Sequence, residues 1–128
     1  MATVAIKVTI SQLAAWAARS IWFRITGALC VALIVILALL PGDWQAHTGF
    51  SGRLEHMAAY AGAAVVIGLG VSASYSEVVV VLALVALAGG LEALQFLSPG
   101  RDPDAIDFLA SGFGALGGGV FLRIVRGR

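Results

Sequence analysis

Residues 78–97 read VVVVLALVALAGGLEALQFL. An apolar run of this length matches the roughly 20 residues that a helix needs to cross the hydrocarbon core of a bilayer, yet it carries Glu92 and Gln95 near its end. A carboxylate facing lipid at such a depth costs about 2 to 3 kcal/mol even on the lenient insertion scale. The run therefore predicts a membrane-spanning helix that turns Glu92 into a bundle of other helices, with Arg53, His56 and Arg101 as the partners within hydrogen-bonding reach.

Three more runs supply that bundle. Residues 21–40 (IWFRITGALCVALIVILALL) stop at Pro41-Gly42-Asp43, residues 57–73 (MAAYAGAAVVIGLGVSA) end among Ser72, Ser74, Ser76 and Glu77, and residues 106–125 open beside Asp107 and close at Arg123, Arg126 and Arg128. Composition agrees with this reading. The 128 residues are 60% hydrophobic and 12% charged, with a mean hydropathy of +0.98, whereas a soluble domain has roughly 25% charged residues. The expected fold is all-α: an integral membrane four-helix bundle over residues 21–128, with no second domain. Residues 1–20 mix β-branched residues with Lys7, Gln12, Trp16 and Arg19, which suits an N-terminal interfacial segment anchored by Trp16 and Trp22. The first apolar stretch begins only at Ile21, deeper than that of a signal peptide, and is expected to be retained.

A net charge of +1 lacks the basic field of a nucleic-acid reader. The single cysteine, Cys30, lies within an apolar run, which leaves no internal disulfide and no metal cluster of cysteine type. No cofactor motif, metal-ligand spacing or catalytic motif stands out.

The distribution of Lys and Arg sets the expected orientation. Lys7, Arg19, Arg24, Arg123, Arg126 and Arg128 fall on one side of a four-span arrangement, against Arg53 and Arg101 on the other. Both termini are expected to be cytoplasmic. The polar residues near the spans then share one depth, toward the outer face. Arg53, His56 and Tyr60, spaced i, i+3 and i+7, form a stripe on the second helix, and Glu92 and Gln95 form one on the third. In the connection between the last two spans, Pro99-Gly100 fits the centre of a type II turn. Asp102 or Asp104 can cap the fourth helix, with Pro103 or Asp107 in its first turn. The candidate site is thus one polar cluster: Arg53, His56, Tyr60, Glu92, Gln95, Arg101 and Asp107. A structural reading, in which the same network only orients helices, accounts for these residues too. Ala110, Gly114 and Gly118 repeat every four residues and are expected to pack against Gly89-Gly90 as a small-residue face.

The segments RLEHMAAY (53–60), GLEALQFLSPGR (90–101) and DAIDFLASGFG (104–114) resemble the VanZ-like family of small bacterial membrane proteins, over residues 52–120. The features that match are a basic residue and His before a Tyr, a Glu-x-x-Gln pair, a Pro-Gly-Arg turn and a following Asp. Arg53 stands for the family's usual Lys, Gly52 stands where an Asp is common, and Ser111 replaces an Asn. The resemblance implies a multi-pass protein of the bacterial inner membrane and cell envelope, with membrane lipids as partners. It also implies an outward-facing polar site that binds a lipid headgroup, a cell-wall precursor or a glycopeptide antibiotic. The alternative is a small accessory subunit of a larger membrane assembly, respiratory or photosynthetic, with other membrane proteins as partners. An enzyme acting on a lipid-linked substrate, with Glu92 or His56 as base, is the third and least supported reading.

Overall fold

A computed structural model describes residues 10–45, 48–71 and 76–126, with side chains from Ser20 onward. These residues are all-helical: α1 (Ile10–Leu39), a single 3-10 turn (Gly42–Trp44), α2 (Gly52–Gly70), α3 (Glu77–Gln95) and α4 (Ala105–Val125). Three segments are long and apolar enough to cross a membrane: Ser20–Leu39 within α1, all of α3 and all of α4. α2 is less apolar, because its first two turns carry Arg53, Glu55 and His56.

Local chemistry explains most helix ends. Ser51, Ser76 and Asp104 cap α2, α3 and α4, their side-chain oxygens accepting from the amides of Leu54, Val78 and Ile106. Asp104 is thus the cap that sequence left open between two aspartates, and Asp107 sits in the first turn of α4. α1 stops just before Pro41 but runs unbroken from Ile10. Residues 10–20, the described part of the expected N-terminal interfacial segment (residues 1–20), are helical and continuous with the rest of α1. The 30 residues of α1 extend about 45 Å at roughly 1.5 Å per residue, more than the ~30 Å of a hydrocarbon core. Lys7, the side chains of Gln12, Trp16 and Arg19, Ser72 and Ser74, and Arg128 lie outside the described residues.

α2 is the central element. It packs most extensively on α4 and also on α1 and α3, whereas α1 and α4 do not touch among the described residues. Small residues permit the α2–α4 approach. A Cβ added at Gly114 would strike the Met57 carbonyl, and one at Gly118 would meet the Ala61 carbonyl and come within 2.8 Å of the Ala64 Cβ. The small-residue face of α4 thus meets α2, and the expected pairing with Gly89-Gly90 is not what forms. The reason lies in the periodicity of α3. Its buried stripe runs Glu77, Val81, Leu84, Ala88, Leu91, Gln95, alternating steps of four and three, and both glycines fall beside it. Gly90 faces open space, and Gly89 meets only the Phe108 ring.

The end of the bundle that holds the C-terminus of α2 is closed by arginines. The last carbonyls of a helix have no partner within it, and here Arg126 donates to the Gly68 oxygen at 2.6 Å and to the Val71 oxygen at 3.5 Å. Arg24 donates to the Gly70 oxygen at 3.0 Å. Arg126 also pairs with Glu77 at 3.0 Å, both side chains being nearly buried.

Candidate functional site

The opposite end holds the C-termini of α1 and α3 and the N-termini of α2 and α4, and these four ends surround a cavity of about 430 Å³. Each helix contributes one face. Ile34, Leu37 and Ala38 line it from α1; Gly52, Glu55, His56, Ala59 and Tyr60 from α2; Ala88, Leu91, Glu92 and Gln95 from α3; Asp107 and Ser111 from α4. The spacings i, i+3, i+4 and i+7 recur because only such residues share a helical face. Arg101 from the α3–α4 loop, with Gln45, Thr48 and Phe50 from the α1–α2 loop, completes the wall.

Six of the seven expected residues, namely His56, Tyr60, Glu92, Gln95, Arg101 and Asp107, therefore line one cavity. Arg53 does not. It lies on the neighbouring face of α2, exposed, with Nη2 3.5 Å from Asp104 and Nε 3.8 Å from Asp107. The stripe that points inward runs through residue 52 rather than 53, which the i, i+3, i+7 spacing alone does not distinguish.

Glu92 turns inward as expected, but its partner differs from the expected basic side chain. Its Oε2 accepts from the backbone amide of Asp104 at 3.2 Å, and no Arg or His among the described residues forms an ion pair with it. α3 ends at Gln95 rather than Leu97, so Glu92 lies three residues, about 4.5 Å, inside the helix end. At that height the N-terminus of α4 offers unpaired amides, and one of them reaches the carboxylate.

Gln95 and Arg101 both serve α1. Gln95 Nε2 and Arg101 Nη2 each donate to the Ala38 oxygen at 3.1 Å, and Ser98 Oγ donates to the Leu39 oxygen at 3.3 Å. These are among the orphan carbonyls of the α1 C-terminus, where positive charge also suits the helix dipole. The loop that carries Arg101 is shaped by the expected turn. Gly100 has φ +72°, and the Arg101 amide donates back to the Ser98 oxygen at 3.3 Å, as a type II turn requires. Gly42 packs against this turn so closely that a Cβ there would strike the Gly100 carbonyl.

His56 Nδ1 is 3.2 Å from Ser111 Oγ, and Ser111 Oγ donates to the Asp107 carbonyl at 3.0 Å. A hydroxyl has one proton, so the imidazole must donate from Nδ1, which leaves Nε2 of a neutral ring as an acceptor. Tyr60 is 3% exposed, and its hydroxyl has no hydrogen-bond partner among the described residues. Glu55, which accepts from the Thr48 hydroxyl, and Ser111 are cavity residues outside the expected cluster. Glu55 was findable, since it lies four residues before Ala59 and three after Gly52 on the same face. Ser111 was visible only as a departure from the family pattern.

No protein-family model, no curated protein and no solved structure matches the chain.

Proposed function

We propose that this chain is a VanZ-like protein of the bacterial inner membrane, a four-span bundle with both termini cytoplasmic. Its outward-opening cavity receives the polar head of an amphiphile: a lipid headgroup, a cell-wall precursor or a glycopeptide antibiotic. The observation that carries this reading is the cavity itself. Its volume of about 430 Å³ falls within the roughly 300 to 1,000 Å³ of ligand sites. One wall is apolar, from α1, and the facing walls present polar side chains from α2, α3 and α4. A purely orienting network would be expected to fill the space between its members.

The transmembrane arrangement draws support from packing and charge. α2 lies against α1, α3 and α4, so it crosses with them if they cross. The cavity end carries Arg53 and Arg101, while Arg24, Arg123 and Arg126 lie at the other end, the distribution expected when that other end is cytoplasmic. Purification from the native membrane in mild detergent, followed by mass spectrometry of whatever copurifies, tests the reading. A stoichiometric amphiphile is expected. A stoichiometric protein partner with no amphiphile would replace the proposal by that of an accessory subunit.

A further inference from the structure

We infer that the cavity selects a cationic headgroup, a primary ammonium carried on an apolar chain, with Glu92 as its counter-ion and the Tyr60 hydroxyl as a second acceptor. This rests on the reading of the cavity as an amphiphile site and adds the sign of the charge it takes.

Among the described residues the lining carries three carboxylates, Glu55, Glu92 and Asp107, against one guanidinium, Arg101, and one imidazole, His56. That guanidinium is engaged with the Ala38 carbonyl. Arg53, a second arginine at this end, stands outside the lining beside Asp104 and Asp107. An excess of carboxylates in a half-enclosed apolar setting is costly unless a cation compensates it; His56 and Arg101 lie near enough to Glu92 to act on its charge, but no described Arg or His forms an ion pair with it. Its Oε2 is satisfied by the Asp104 amide, while Oε1 has no partner among the described residues.

The hydrogen-bonding inventory agrees with the charge. Buried hydroxyls nearly always have partners, yet Tyr60, 3% exposed, has none among the described residues. Among the described residues no fully enclosed side-chain oxygen or nitrogen is left unsatisfied, so the hydroxyl opens onto the cavity that Tyr60 lines. A neutral His56 ring presents Nε2 as an acceptor, because Nδ1 is committed to Ser111. An ammonium brings three donors and no acceptor and matches Glu92 Oε1, the Tyr60 oxygen and His56 Nε2. A phosphate brings acceptors and negative charge to the same carboxylates and is disfavoured. Ile34, Leu37 and Leu40 offer the surface for the attached chain.

The test uses the full chain in neutral maltoside micelles, with dodecylamine and dodecyl phosphate as probes and binding read by native mass spectrometry. Dodecylamine is expected to bind saturably, one per chain, and dodecyl phosphate at least about tenfold more weakly. Glu92→Gln keeps an oxygen for the Asp104 amide, and so the fold, but loses the charge; dodecylamine affinity should drop at least about tenfold. Tyr60→Phe removes only the hydroxyl and should weaken binding about threefold or more. Displacement of dodecylamine by short-chain phosphatidylethanolamine but not phosphatidylcholine would assign the ammonium to an aminophospholipid; displacement by neither would assign it to a free cationic amphiphile, and both outcomes support the inference. Dodecyl phosphate binding as tightly as the amine, or amine binding unchanged in Glu92→Gln, would overturn the cationic assignment and leave the amphiphile site standing. No saturable binding of either probe would overturn both.

Discussion

At one end of the bundle the last carbonyls of α2 are held by Arg24 and Arg126, and Arg126 is locked to Glu77. At the other end the last carbonyls of α1 are held by Gln95, Ser98 and Arg101, and here the polar side chains stand around an open cavity. Both ends meet the same requirement, since carbonyls of a helix end in an apolar setting must find donors. They differ in what is done with the carboxylate. Glu77 has its charge compensated by an arginine within the protein, whereas Glu92 receives a backbone amide and keeps one oxygen toward the cavity. A closed ion pair contributes to structure alone; a carboxylate with an acceptor oxygen left open beside a cavity can take a ligand.

The largest expected effect lies at the closed end. Arg126→Ala removes the arginine paired with the nearly buried Glu77 carboxylate and should destabilise the protein by up to about 3 to 5 kcal/mol, measured by reversible denaturation in micelles. A loss below about 1 kcal/mol would mean that the Glu77–Arg126 pair does not hold this end together, and the contrast with the cavity end would be false. Next is the packing that holds α2 and α4 together for both ends. Gly114→Val drives a side chain into the Met57 carbonyl, and a loss of about 1 to 3 kcal/mol is expected in the same measurement.

At the cavity end Gln95 and Arg101 share one acceptor, the Ala38 oxygen. Either residue alone can satisfy it. Gln95→Leu and Arg101→Ala should each cost about 1 kcal/mol or less, while the double variant should cost more than their sum, because only then is the carbonyl orphaned. Strict additivity in that double-mutant cycle would show that the two do not act together on α1. The smallest effect is expected for Arg53→Ala, whose pairs with Asp104 and Asp107 are largely exposed and worth about 0 to 1 kcal/mol. It should also leave ligand binding in the cavity unchanged, in contrast to Glu92→Gln.

The helices were legible because each leaves an apolar run longer than a soluble protein would expose. Their polar ends were less so. α2 begins at Gly52 rather than Met57, since Ser51 caps a turn of polar residues that a hydropathy reading leaves out. The depth shared by His56, Tyr60, Glu92, Gln95 and Asp107 could be read from spacing and alternating direction. Their partners could not. Whether Arg101 meets Glu92 or the Ala38 carbonyl depends on how α1 is set against α3, and that follows from packing surfaces rather than from any local pattern. The same holds for the glycines of α4, whose spacing announces a close approach without naming the helix approached.

The contrast between the two ends can be tested most directly by asking which side of the membrane reaches each. In a Cys30→Ala background, single cysteines at Ala59→Cys, in the cavity wall, and at Arg123→Cys, exposed near the closed end, are challenged in intact cells with a membrane-impermeant maleimide. Ala59→Cys is expected to be labelled from outside, and Arg123→Cys to react only after the cells are permeabilised. Labelling of Ala59→Cys only after permeabilisation, or in neither condition, would contradict an outward-opening cavity.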